Sequence, residues 1–437
     1  MKANTPVIGK GKSGGHSLPA SEKSWPVREF ADICDRVQES TNPAADGTRL
    51  YLGLEHLTSG FPGLVGRGVE SDVKSNKTAF QPGDVLFGKL RPYLRKSARV
   101  HAPGICSTDI LVFRSKPEID PDFLCLLTHT DEFVSHAKAT TSGVQHPRTS
   151  WSSLKDFKVA VPPLPQQKKI AAILEVVLRA IDEQERLSAL TAELKVTLLH
   201  QLFTQGLRKE PQKQTEIGPV PQSWEVVPLI EAVDHIDYGI SAPIPKTRPV
   251  NGVKIVSTAD ITKDGRLLYD NIRYIEAPAT TVARLTLRTG DVLFNWRNSA
   301  ELVGKSAVFQ EQSEPHVFAS FILRIRCGEK RSHNYYLTHL MNQWRQEEVF
   351  LKLARRAVNQ ANYNRNEISV LKIPLPSYEE QREIAGVIRA VDDNLDLHRR
   401  KRAVLVALFR TLLHELMTAT VRVDQLYPPR SESADAA

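Results

Sequence analysis

The chain has 437 residues, 41% hydrophobic and 25% charged, with 23 Gly, 27 Pro, 4 Cys and a formal net charge of +8. That length favours two or three domains, and the apolar and charged fractions exclude wholesale disorder. No run of 18 apolar residues occurs, which excludes a membrane-spanning helix, and Met1–Ala20 lacks the hydrophobic stretch of a signal peptide.

Residues 1–22, with Gly and Lys gathered at Gly9–Gly15, read as a flexible segment. Block 23–158 reads as mixed α/β: Val85–Phe87 and Ile110–Phe113 predict strands, and Phe123–Lys138 predicts a helix. Directly after the first strand come Lys89, Arg91, Arg95 and Lys96 with Tyr93 among them. Arginine can fork onto a guanine edge and tyrosine can pack on a sugar or base, so Lys89, Arg91, Tyr93 and Arg95 are candidate DNA contacts. The same residues also fit a strand end with solvated cations. Gln145, His146 and Arg148 form a second candidate group, equally readable as an ordinary polar loop.

Block 159–207 predicts a long helix. Neither Gly nor Pro interrupts Gln166–Gln205, and an apolar stripe runs through Ile170, Val177, Ile181, Leu194, Leu198 and Leu202 at helical spacing. Forty helical residues span ~60 Å, and one amphipathic helix of that length needs a partner. Residues 208–222 read as a linker. Block 223–372 again reads as α/β, with a strand at Phe321–Ile325 and a helix at Tyr335–Arg356. Its candidate contacts are Trp296, Arg297, Asn298, Arg355, Arg356, Asn359, Gln360, Asn362 and Arg365, amides beside arginines of the kind base readout uses. Block 373–421 repeats the helix, free of Gly and Pro from Val387 to Tyr427, with Ile384, Val391, Leu395, Leu408, Leu412 and Leu416 as its stripe. The run His398–Arg402 reads as a solvated face or a meeting point with another subunit. Residues 422–437 read as a flexible tail.

The chain repeats itself. A shift of 214 aligns Val159–Gly206 with Ile373–Thr420 without a gap, at 15 identities in 48 positions, including Pro162/Pro376, Gln167/Gln381 and Asp182/Asp396. A looser echo precedes each copy: Ser24-Trp25 and Ser223-Trp224, then Gly83–Phe87 and Gly290–Phe294. Charge follows the repeat, because residues 1–158 and 223–372 each carry a net +4 while both helical blocks balance. Two modestly basic modules fit DNA docking better than one catalytic centre.

Catalytic signatures are missing. There is no GxxxxGK[ST] loop, no GxGxxG turn, no HExxH or HxH metal pair and no Asp/Asn-Pro-Pro-aromatic motif. Asp122, Asp156 and Lys158 give only a loose nuclease-like pattern. Cys34, Cys106, Cys125 and Cys327 are far apart and read as reduced cytosolic thiols, so a cytoplasmic protein without a metal site is expected.

Ile217-Gly218-Pro219-Val220-Pro221-Gln222-Ser223-Trp224, Val85–Tyr93, and the proline-to-helix starts Val161–Ala171 and Ile373–Ala385 together resemble the specificity subunit of type I restriction–modification systems. The resemblance covers about 24–420. It implies two α/β target recognition domains, 23–158 and 223–372, each reading half of an asymmetric split DNA site. It also implies two long helices packed as an antiparallel coiled coil in a pseudo-two-fold tandem repeat, which fixes the spacer between half-sites and docks two methyltransferase subunits. A restriction subunit would join them, with S-adenosylmethionine, ATP and Mg²⁺ belonging to those partners and no catalysis in this chain. A related defence complex without a restriction subunit is the alternative; a Mg²⁺-dependent nuclease is a distant one. Asn295-Trp296-Arg297-Asn298 does not reproduce Gly88-Lys89-Leu90-Arg91, so the second domain is a different recognition subtype.

Overall fold

The computed structural model describes residues 25–350, 355–357 and 360–423, with backbone alone at 355–357 and 360–361. Segment 1–22, expected to be flexible, lies outside the described residues, as does the expected flexible tail 422–437 beyond Arg422 and Val423. The chain mixes helix and strand and forms two compact units. One holds residues up to Glu183 and those from Lys401 on; the other is Gln184–Arg400. The division cuts both long helices, so each unit owns one reader domain and part of each helix.

The readers share a plan. In the first unit a four-stranded antiparallel sheet runs in the order Cys34–Val37, Ile110–Ser115, Val85–Gly88, Ser97–Arg99. In the second unit Val233–Tyr238, Ile322–Cys327, Val292–Asn295 and Ser306–Val308 repeat that order. A second sheet accompanies each, five-stranded in the first unit and three-stranded in the second. The Gly-Asp echo in the sequence is the turn into the inner strand. Gly83 and Gly290 both take φ +94, where a side chain is strained. The next residue's carboxylate is buried and gripped by an arginine fork: Asp84 by Arg114 (2.8 and 2.8 Å), Asp291 by Arg326 (2.7 and 2.7 Å).

The repeated residues at the helix starts are pegs. Buried Gln167 accepts from the Asp120 amide (2.8 Å) and donates to the carbonyl of Pro162 (2.9 Å). Buried Gln381 accepts from the His333 amide (2.8 Å) and donates to that of Pro376 (2.9 Å). One residue earlier, Gln166 accepts from the indole of Trp25, and Glu380 from that of Trp224. Each peg ties a long helix to the reader that precedes it.

The first long helix is Leu164–Gln205. It stops at Gly206, whose φ of +65 and whose packing against Glu380 and Trp224 leave no room for a Cβ. The second is Tyr378–Met417, so it begins ahead of the expected Gly-free stretch and ends short of Tyr427. Its start is set by the Ser377 hydroxyl, which accepts from the Glu380 amide (3.3 Å), and it tolerates Gly386 at about 1 kcal/mol. Its end follows from Ala419 entering the left-handed region at φ +59.

Two other helices differ from expectation. Phe123–Lys138 is split into Pro121–Leu127 and Asp131–Ala139, because the Thr128 and Thr130 hydroxyls donate to the Cys125 and Leu127 carbonyls at the end of the first helix and Thr130 accepts from the Phe133 amide of the second. The helix expected over Tyr335–Arg356 is Asn334–Gln346. There the chain turns through Glu348 (φ +58) and buries Phe350 among Phe294, Trp344 and Tyr363. Residues 208–222, read as a linker, carry a hairpin of Gln212–Thr215 and Gly218–Pro221.

Within the first unit, Ile170, Leu174, Val177 and Ile181 of the first long helix share a core with Phe409, Leu413 and Leu416 of the second. Within the second unit, Leu199, Leu202 and Phe203 share a core with Ile384 and Ile388. Contacts there run in opposite numerical order: Gln184 with His398 (2.9 Å), Lys195 with Asp392 (2.6 Å), the Leu207 amide with Glu380 (3.2 Å). Of the expected packing residues, Leu194 (56% exposed) and Leu408 (42%) are corrections. They occupy the same repeat position, and the helical face that shares the cores has turned away from them. Val391, Leu198 and Leu412 are half-buried, while Leu395 is buried. No helix among the described residues is long and apolar enough to cross a membrane.

Candidate nucleic-acid interface

In the first reader the candidate residues come from two distant stretches and meet. After Val85–Gly88 the chain makes a tight turn through Pro92–Leu94, flanked by Arg91 and Arg95, both left-handed at φ 51 and 50. Such a backbone costs non-glycine residues about 1–2 kcal/mol each and persists only when held. Arg91 is held by its amide, which donates to the carbonyl of Pro147 (2.8 Å). Ser142 and Arg148 exchange backbone bonds (3.0 Å each way) and close a hairpin, whose Arg148 also pairs with Leu90. The stretch Lys89–Tyr93 thus lies beside the hairpin that carries Gln145 and His146. Arg91, Tyr93, Gln145 and His146 are exposed, and Lys89 is half-buried.

Arg95 and Arg148 have other duties. Arg148 forks onto Asp109 (2.8 and 3.1 Å), and its guanidinium holds the Asp109 carboxyl below the usual carboxylate range. Arg95 pairs with Asp131 and donates to the carbonyl of His129 (2.8 Å). Both arginines brace the turn instead of presenting a bare guanidinium. Burial pushes the His129 imidazole down to about 4, so it stays neutral beside Arg95. Asp109 and Val144 carried no signal strong enough to single them out. Val144 is 100% exposed at the hairpin tip, next to Gly143 at φ +90.

The second reader repeats the arrangement with other residues. Arg297–Asn298 pairs with Gln360–Asn362, which pairs in turn with Arg355–Ala357. In that register Arg297, Asn362 and Arg355 form one row across the small sheet. The position paired is the same as before, since Leu90 and Arg297 occupy equivalent places behind their strands. Arg297 is exposed, with its guanidinium 5.0 Å from the Phe321 ring centre. Trp296 is half-buried: its indole donates to the carbonyl of Ser320 (2.6 Å) and packs against Tyr238, so it supports the surface. Asn298 caps its own turn through the Ser299 amide (2.8 Å). Exposed Arg365 opens a short helix, its amide donating to the Tyr238 hydroxyl (2.7 Å). Asn359 lies outside the described residues, and Arg355, Arg356 and Gln360 are placed by backbone alone.

Asp122 pairs with Arg99, and Lys158 lies in a strand opposite Glu29. Among the described residues no group of three or more His, Cys, Asp or Glu could hold a metal ion. All four cysteines are free; burial pushes the Cys106 and Cys125 thiols up to about 12 and Cys327 up to about 11.

Comparison with known proteins assigns this twofold arrangement. A family model described as the type I restriction modification DNA specificity domain matches residues 23–192 and again 223–407. The chain belongs to that family. Its two specificity domains coincide with the two readers and the larger part of the long helices. The chain is 24% identical over 435 residues to the type I restriction enzyme MjaVIII specificity subunit of Methanocaldococcus jannaschii, covering 94% of this chain and 96% of that one. With the MjaX counterpart of the same archaeon identity is 31% over 226 residues, about half of either chain (50% and 51%). The fold is shared with a type I restriction-modification S subunit from M. genitalium, at a TM-score of 0.56 and 12% identity over 91% of this chain and 98% of that one. A chain from a solved type I R-M system gives a TM-score of 0.57 at 22% identity, over 92% and 99%.

Proposed function

We propose that this chain is the DNA sequence-specificity subunit of a type I restriction–modification complex, reading a split asymmetric site with its two specificity domains. The observation that carries this is the duplication of a whole device: an arginine-bearing stretch paired with a hairpin, behind a sheet pegged to a long helix, present twice in one family-matched chain. Affinity would come from phosphate contacts by the basic readers, and sequence from the exposed Arg91, Gln145 and Arg297 and the half-buried Asn362 in the grooves. The long helices act as an antiparallel coiled-coil ruler, supported by their shared cores within each unit. Their exposed apolar positions, Leu194 and Leu408, offer docking surface to two methyltransferase subunits, with a restriction subunit joining the assembly. Methyl transfer and cleavage belong to those partners, together with S-adenosylmethionine, ATP and Mg²⁺. The chain itself binds without reacting.

A heptad inserted in both helices, after Glu183 and after Arg400, lengthens the ruler by ~10 Å, about three base pairs of duplex. Genome-wide methylation mapping is expected to show the same half-sequences with a longer spacer. An unchanged spacer overturns the ruler.

A further inference from the structure

The second reader touches its helices through a hairpin that the DNA-reading surface does not use. Residues Asp260–Leu268 fold back on themselves: Ile261 pairs with Leu267, Thr262 and Arg266 exchange bonds, and the Leu268 amide donates to the carbonyl of Asp260 (2.9 Å). The turn is Gly265 at φ +84. Its arms are fixed to the reader, because Ile261 is buried in the core there and Arg345 donates to the carbonyl of Lys263 (2.6 Å). The tip meets the second long helix in an alternating square of charge. Arg266 donates to both carboxylate oxygens of Asp396 (3.1 and 3.2 Å) and pairs with Asp264 (2.9 Å). Arg399 reaches Asp396 (3.4 Å) and Asp264 (3.7 Å).

Two features of the square bear on its use. Its charges cancel in pairs, so it offers no net field to a polyanion. Beside it the seat is open: a cleft of about 470 Å³ lies among Leu199, Tyr269, Tyr335, His339 and Asp393. Apolar packing does not fill the seat at this point, so charge pairing is left to set where the hairpin rests.

We propose that Arg266 is a positioning residue for half-site spacing: with Asp264, Asp396 and Arg399 it locks the second reader at one seat on its helices. The proposal rests on the reading of the helix pair as a ruler and adds a site where that ruler can slip. Ion pairs that are half exposed are individually weak and screened by salt, so the lock is a matter of a few-fold discrimination. The test is methylation by the complete complex of DNA carrying the correct half-sites at the preferred spacer or one base pair off. Arg266→Ala is expected to raise the share of off-spacer methylation by about threefold or more. The half-sequences should stay unchanged, and Arg266→Lys should recover part of the discrimination. The wild-type chain should lose spacer discrimination as salt rises, a readout that needs no variant to fold. Unchanged spacer ratios in Arg266→Ala and across salt overturn the lock, and altered half-site bases in Arg266→Ala overturn it in favour of direct DNA contact. If the heptad insertion shifts the spacer while Arg266→Ala does not, the lock alone fails; if neither does, the ruler fails.

Discussion

In the first unit the loop that follows strand Leu50–Leu52 seats Phe61 in the core shared by reader and helices, with the Arg402 guanidinium 5.8 Å from its ring centre. Thr58–Val65 contains no ionisable residue. In the second unit the loop in the same place, after strand Val253–Val256, presents Asp264 and Arg266 to Asp396 and Arg399. Both readers share an apolar core with their helices, but this loop is seated by burial in the first unit and by charge in the second. Burial is insensitive to ionic strength, whereas exposed ion pairs weaken with it, so the duplicated halves should respond to salt unequally. The residues that build the frame do not differ in this way. Asp84 and Asp291, Gln167 and Gln381 make the same bonds in each unit. Divergence between the copies falls on the seats and on the reading surfaces, where Lys89 and Arg91 stand opposite Trp296 and Asn298.

The largest expected effect is at the apolar seat. Phe61→Ala removes a buried ring and should cost about 3–4 kcal/mol in denaturant unfolding of the full chain, against less than about 1 kcal/mol for Arg266→Ala. Equal costs would erase the contrast. Next come the two carboxylates of the frame. Asp291→Ala and Asp84→Ala each strand an arginine, at about 3 kcal/mol, and Asp291 should cost the more because Arg326 is 18% exposed and Arg114 39%. The reverse order would mean that the two turns are not equivalent. The smallest effect is the response to acid. Arg148 holds Asp109 below its ordinary range, so their pairing stabilises fully above the unfolded carboxylate value of about 4 and is lost as pH falls through the lower folded value. Protection of the Ser142 and Arg148 amides from exchange, taken relative to the intrinsic rate at each pH, should fall a few-fold on acidification, and Asp109→Asn should show the lower protection at all pH. Protection indifferent to both would remove Asp109 as the brace.

The long helices were legible because Ile170 through Leu202 and Ile384 through Leu416 repeat at a period that only a helix satisfies, and that period is local. The strands at Val85 and Ile110 were legible for the same kind of reason. The boundaries near Tyr378 and Glu348 were not. A Ser377 hydroxyl overrode Gly386 at one, and a turn with Glu348 in the left-handed region interrupted the helix at the other. Among the candidate contacts, chemistry was readable but availability was not. Arg95 and Arg148 look as free as Arg91 in sequence, yet their partners Asp131 and Asp109 stand 36 and 39 residues away.

The duplication, the helical period and the even split of positive charge are properties of the order of residues alone, and they determined the tandem architecture. Folding decided which face of each stripe is buried, leaving Leu194 and Leu408 outside, and which cations are already neutralised. It also brought Gln145 beside Arg91 and Asn362 beside Arg297. Those outcomes depend on strand pairing and ion pairing between distant segments, which local periodicity does not encode.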